Sequence, residues 1–212
     1  MAKILTIINY GSGNLKSVYN AIEKTELCDE ILISSDFEDL KRSTHAILPG
    51  VGAYNDCMTG LRNAKNLIDQ IYEFSLKDQK PLLGICAGMQ VLSDQGTENG
   101  ECEGLRLIAG RVEAINKDEN FDHNLKIPQI GWNNLRVVNK NPIVKNIEDG
   151  QDVYFANSFR FVVKNQEDLV AKARYSCDIT AIVAKDNIFG IQFHPEKSGQ
   201  IGIDILKNFI NL

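Results

Sequence analysis

The chain has 212 residues, 43% of them hydrophobic and 24% charged, which suits one α/β domain with a proper buried core. A net charge of −5 leaves no basic footprint for nucleic acid or an anionic membrane. Cys28, Cys57, Cys86, Cys102 and Cys177 form no CxxC pair and are odd in number, which argues against a disulfide scaffold or zinc site and for a reducing compartment. No segment reaches the length of a membrane span, and the N-terminus lacks a signal-peptide pattern, so a soluble cytoplasmic protein is expected.

In chain order, Lys3 to Ile8 is almost wholly apolar and β-branched, as in a strand buried on both faces of a parallel sheet. Tyr10 to Asn14 is a loop, and Leu15, Val18, Ala21 and Ile22 fall at helical spacing. Glu30 to Ser34 is a strand, Phe37 to Lys41 a short helix, and Ala46 to Leu48 a strand ending in Pro49-Gly50-Val51-Gly52. Asn55 to Arg62 and Leu67 to Leu76 read as helices. Leu82 to Ile85 is a strand, followed by a helix from Met89. This βα alternation predicts a three-layer, open, mostly parallel sheet. After about residue 95 the character changes. Gly110 to Ile115, Leu135 to Val138, Asp152 to Val163, Leu169 to Arg174, Thr180 to Lys185 and Ile188 to Phe193 are strand-like runs. Their connections are too short for crossover helices, which predicts an antiparallel extension. Asp186-Asn187 reads as a hairpin turn, and Ile201 to Ile210 as a closing helix. No repeat or linker divides residues 1–212, so a single domain is expected.

The most informative stretch is Gly84-Ile85-Cys86-Ala87-Gly88, because Gly-x-nucleophile-x-Gly between strand and helix is the form of a nucleophile elbow. Gly84 and Gly88 lack the Cβ atoms that would crowd a strained turn. The following helix start offers unpaired N–H groups to a thiolate and to an acyl oxyanion. A buried structural cysteine is the alternative, and a base elsewhere decides between them. There are three histidines. His45 precedes an apolar strand, at the wrong end of the sheet for a site. His123 lies in the polar stretch Lys117 to Asn124. His194 follows the apolar run to Phe193, at a strand's carboxyl end where sites form. Glu196 stands two residues on, where it can orient the imidazole.

Gly84-Ile-Cys86-Ala-Gly88-Met-Gln90, Phe193-His194-Pro195-Glu196 and Pro49-Gly50-Val51-Gly52 together resemble the class I (triad) glutamine amidotransferases. Asn9-Tyr-Gly-Ser-Gly-Asn14-Leu15, Gly131-Trp132-Asn133 and His194 to Ser198 are similar to the glutaminase subunits of imidazole glycerol phosphate synthases. The resemblance covers essentially the whole chain. It implies hydrolysis of L-glutamine to glutamate and ammonia through Cys86, His194 and Glu196, with no cofactor and no metal. Gly50, Val51 and Gly52 match the oxyanion strand, with Ala87 N–H as a second oxyanion donor. Gln90, Glu98 and Ser158 match substrate contacts. A flip of a peptide in the Gly50–Gly52 strand would silence the enzyme. The implied partner is a (β/α)8-barrel cyclase in a heterodimer. Asn14, Trp132, Tyr154 and Lys197 match interface positions, and the lyase chemistry of the complex, which yields imidazole glycerol phosphate and AICAR, belongs with that partner. Asn9, Ala87, Gln129 and Asn157-Ser158-Phe159 depart from the usual Asp, Leu, His and His-Ser/Thr-Tyr. They leave open a paralogous glutaminase serving another synthase, such as a surface-sugar amidotransferase.

Overall fold

The computed structural model describes residues 2–212. Its first half alternates β1 (Ile4–Ile8), α1 (Leu15–Glu23), β2 (Glu30–Ser34), α2 (Phe37–Arg42), β3 (His45–Gly50), α3 (Tyr54–Asn63), α4 (Leu67–Tyr72), β4 (Leu82–Cys86) and α5 (Ala87–Gln90). Then follow β5 (Gln95–Gly96), β6 (Cys102–Glu103), β7 (Gly110–Ala114), β8 (Gln129–Asn134), β9 (Arg136–Val137), β10 (Asp152–Asn157), β11 (Phe159–Val163), β12 (Leu169–Tyr175), β13 (Cys177–Lys185), β14 (Ile188–Ile191) and α6 (Gly199–Ile210). The main sheet runs β2-β1-β3-β4-β14-β13-β12-β9. Its strands are parallel from β2 to β14 and antiparallel from β14 to β9, as the change in sequence character predicts.

The apolar runs of β1, β3 and β4 are buried because helices cover both faces of the sheet. On one face Leu5, Ile7, Ile47 and Leu83 pack with Val18 and Ile22 of α1 and Leu206 and Phe209 of α6. On the other, Ile8, Leu48 and Leu82 pack with Met58 and Leu61 of α3, and with Leu67 and Ile71 of α4. The expected three layers are therefore present. Among the described residues no helix is long and apolar enough to cross a membrane.

Three elements differ from expectation. The run Asp152 to Val163 is two strands in different sheets, β10 in a ribbon with β8 and β11 in a four-stranded sheet with β7, β5 and β6. The chain switches sheets at Ser158, whose carbonyl accepts from Ile115 N–H at 3.0 Å. Leu135 to Val138 contains only the short β9, and the longer strand is β8 before it. Ile130 and Trp132 are apolar on its solvent face, 64% and 57% exposed, so the usual alternation is hidden. The helix expected from Met89 starts at Ala87 and lasts one turn.

Candidate active site

Cys86 ends β4 and caps α5 with φ 55° and ψ −114°, a left-handed backbone held by its surroundings. The close approach behind it explains the flanking glycines. A Cβ on Gly88 would lie 1.9 Å from Leu48 O, and one on Gly84 would lie 2.5 Å from Gly88 O. Both clash with backbone, so α5 can begin against β3 only if these positions lack side chains.

The loops at the carboxyl ends of β1, β3 and β4 meet here, as the strand assignment predicts. Gly50 pairs with Cys86 across β3 and β4, and Tyr10 Oη donates to Pro49 O at 2.7 Å. A cavity of about 350 Å³ opens above them, lined by Val51, Gly52, Cys86, Ala87, Gln90, Glu98, Ser158, His194 and Lys197, with Pro128, Ala156, Asn157 and Phe159. Nine of the predicted site residues thus share one cavity. Gly50 is not among them; it is buried, paired with Cys86 across β3 and β4.

His194 lies three residues beyond the carboxyl end of β14 and is 6% exposed. Its Nδ1 is 2.9 Å from Glu196 Oε1, and the Glu196 side chain is only 2% exposed. Its backbone N–H donates to Tyr154 O at 2.9 Å. Ser198 Oγ donates to His194 O at 2.6 Å and accepts from Tyr154 N–H at 3.0 Å. Burial is the largest influence on the ring and works downward, but the Cys86 and Glu196 side chains beside it outweigh burial and raise its pKa to about 9. The other histidines do not reach the site. His45 begins β3 at the opposite end of the sheet, its ring 5.4 Å from Phe209, and burial followed by nearby Lys3 holds it down to about 4. His123 is exposed against Phe121. The arrangement at Cys86 therefore brings together the groups that thiol acyl chemistry uses: a thiol, an imidazole, and a carboxylate bonded to that imidazole.

The remaining predicted residues divide. Gln90 is buried, and its Nε2 donates to Gln192 Oε1 at 3.0 Å and Phe159 O at 3.3 Å. Glu98 lines the cavity, but its Oε2 accepts from Tyr54 N–H at 2.8 Å, so it also caps α3. Trp132 stacks edge-on against Tyr154 at 5.9 Å, and Lys197 Nζ lies 5.6 Å from the Tyr154 ring centre. These three form a stack from the cavity rim to the exposed face of the β8–β10 ribbon. Asn14 stands apart from that stack, at the start of α1, where its carbonyl accepts from Val18 N–H. Gln129 and Asn157 face each other across β8 and β10. Both amide atoms of Gln129 and Asn157 Oδ1 are buried without hydrogen-bond partners.

Two contributors escape sequence reasoning. Ser12 Oγ accepts from Val51 N–H at 3.1 Å and donates to Val51 O at 2.8 Å, so the strand N–H faces Ser12. Its signal is faint, since a serine between glycines reads as ordinary loop chemistry. Gln192, fully buried between Ile191 and Phe193, points its Nε2 at Cys86 Sγ, 3.8 Å away. A lone amide in an apolar run just before a strand-end histidine was a usable signal.

A family model described as class-I glutamine amidotransferase matches residues 6–212. The imidazole glycerol phosphate synthase subunit HisH of Pelagibacter ubique is 37% identical over 209 residues, 98% of this chain and 99% of the relative. The protein of the same name from Geobacillus thermodenitrificans is 42% identical, over 99% and 96%. In Brucella abortus the figure is 40%, over 97% of each. Solved structures include PurLQS from Thermotoga maritima, with TM-score 0.71 and 19% identity over 100% of this chain and 99% of that one. A glutamine amidotransferase from the same organism has TM-score 0.62 and 17% identity, over 95% and 79%. At these identities the structural likeness bears on the fold alone.

Proposed function

The chain belongs to the class-I glutamine amidotransferases, and from that premise we propose that it is the glutaminase subunit of an imidazole glycerol phosphate synthase, acting as one domain in histidine biosynthesis. It hydrolyses L-glutamine and passes the ammonia to a barrel cyclase docked over the cavity. The observation that carries the chemistry is the strained Cys86 sharing a cavity with His194, itself bonded to Glu196. The pathway reading rests on relatives of that name at 37% to 42% identity over nearly the whole length.

In this reading the Cys86 thiolate attacks the side-chain carbonyl carbon of glutamine, and a C–S bond forms. The oxyanion is held by Ala87 N–H, which as the first residue of α5 has no intrahelical partner. A second donor comes from the Gly50–Gly52 strand. His194 protonates the departing nitrogen as the C–N bond breaks, releasing ammonia and leaving a thioester. The neutral imidazole then takes a proton from water, whose oxygen attacks the thioester. Glutamate leaves, and the proton returns to the sulfur. Gln90, Glu98 and Ser158 hold the amino-acid end of the substrate. The lyase step belongs to the complex, and the chemistry of this chain is hydrolysis.

With Val51 N–H engaged by Ser12, the strand donor is unavailable until the peptide turns. One missing oxyanion donor is worth roughly 3 kcal/mol of barrier, enough for near silence until the partner docks. The test is capture of the bound synthase from the source cell, with turnover measured on the free chain and on the complex. A co-purifying cyclase and turnover on glutamine only in the complex support the reading. A captured ATP-using sugar amidotransferase, or high turnover by the free chain, overturns it. A glutamine-like electrophile that leaves no adduct on Cys86 sinks the catalytic assignment as well.

A further inference from the structure

Gln192 lies one residue beyond β14, between Ile191 and Phe193, and all three are fully buried. A buried side-chain amide is tolerated where its polar atoms find partners. Here the partners belong to the active cavity. Gln192 Oε1 accepts from Gln90 Nε2 at 3.0 Å, and Gln192 Nε2 donates to Cys86 Sγ at 3.8 Å. The other Gln90 donor bond goes to Phe159 O at 3.3 Å. Gln90, Cys86 and Phe159 all line the cavity. The network also fixes the sense of the amide. Turned over, Gln192 would set its oxygen against the sulfur and its NH2 against that of Gln90. Its backbone is fixed as well, since Gln192 N–H donates to Ala181 O at 2.9 Å.

We propose that Gln192 is a positioning residue for the thiol chemistry, holding Cys86 Sγ with one end of its amide and orienting Gln90 with the other. The proposal rests on the glutaminase reading for its substrate but not for its geometry. A thiolate accepts a hydrogen bond far better than a thiol does, so the amide favours the reactive form of Cys86. At its other end, Gln192 Oε1 and Phe159 O commit the Gln90 NH2 group. The acceptor oxygen of Gln90 is thereby left for a donor on the substrate. Gln192 thus ties the nucleophile and the substrate wall to one rigid amide buried under the cavity.

The two ends separate by substitution. Gln192→Met removes both bonds at similar volume. Gln192→Glu keeps an acceptor for Gln90 but sets an acceptor against the sulfur. Alkylation of Cys86 by iodoacetamide across pH reads the sulfur end without glutamine. Glutamine KM and kcat of the complex read the other end. In Gln192→Met the alkylation midpoint rises by roughly one pH unit, and KM rises several-fold. In Gln192→Glu the midpoint rises at least as far, while KM stays closer to wild type. A merely structural role would lower thermal stability and leave the midpoint in place, so unchanged midpoints in both variants overturn the proposal. If a variant does not fold, the unmodified protein still decides. The Gln192 side-chain amide resonances should shift through the same midpoint as Cys86 alkylation, and pH-independent resonances overturn it. Because alkylation needs no glutamine, a complex that fails to use glutamine would defeat the functional reading and leave this coupling measurable.

Discussion

His194 shows how one residue's surroundings set its chemistry. The only side-chain hydrogen bond of Glu196 among the described residues is the one to His194 at 2.9 Å, and its Oε2 is buried without a partner. A neutral imidazole would leave a buried carboxylate with little compensation, so the pair favours the imidazolium. The folded pKa of about 9 lies above the ordinary 6.5. A raised pKa contributes stability fully below pH 6.5 and loses it as pH climbs through 9. The shift corresponds to an amount on the order of 3 kcal/mol. The stability difference between wild type and His194→Gln, from urea unfolding, should therefore shrink by about that order between pH 6.5 and 9. In imidazole NMR, His194 should titrate well above His45. Cys86→Ala should lower the His194 midpoint, because the sulfur is one of the groups that raise it. A His194 midpoint below 6.5 in the folded protein would show that burial prevails over both neighbours.

At the scale of elements, the parts that were legible in the sequence are those whose pattern is local. The parallel strands β1, β3 and β4 read correctly because burial on both faces makes them continuous apolar runs. The elbow read correctly because its constraint is steric and falls on two nearby glycines. The β8–β10 ribbon did not, because it presents Ile130 and Trp132 to solvent. The break at Ser158 was also hidden, since the choice of partner strand is made by distant β7. Ser12 and Gln192 escaped for the same reason, their roles being set by Val51, Gln90 and Cys86 far away in sequence. The elbow supports a firm expectation. Gly88→Ala sets a methyl where 1.9 Å separates it from Leu48 O, and neither β3 nor α5 can yield, because β3 is paired on both sides. Overpacking of this kind typically costs about 1–3 kcal/mol or more, so urea unfolding should reveal a loss at the top of that range together with a loss of Cys86 alkylation at neutral pH. A Gly88→Ala protein of wild-type stability would mean that the helix start is free to move.

For the whole molecule, the proposed function raises the question of how docking at one face would reach the thiol. Val51 is both the strand residue whose N–H is engaged by Ser12 and a side chain 44% exposed at the cavity mouth. Trp132, Tyr154 and Lys197 form the aromatic and cationic stack that rises from the same rim. A partner covering that face would therefore touch the stack and the Val51 peptide together. Two substitutions separate anchoring from release. In the proposed complex Trp132→Ala removes the largest exposed aromatic and should weaken cyclase binding by about 2 kcal/mol, roughly 30-fold by calorimetry. Electrophile trapping at Cys86 in the free chain should stay unchanged. Ser12→Ala removes the hydroxyl that engages both Val51 N–H and Val51 O. Those bonds resist the turn by a net amount of about 1–3 kcal/mol. Partner-free glutaminase turnover should therefore rise by roughly 10-fold, and cyclase binding should tighten, because docking no longer works against Ser12. The tightening follows from linkage: a partner that favours the turned peptide binds more strongly to a protein in which the turn is already easier. If Ser12→Ala raised basal turnover and left cyclase affinity unchanged, the peptide would control the chemistry without being coupled to docking. Activation would then have to reach Cys86 by another path.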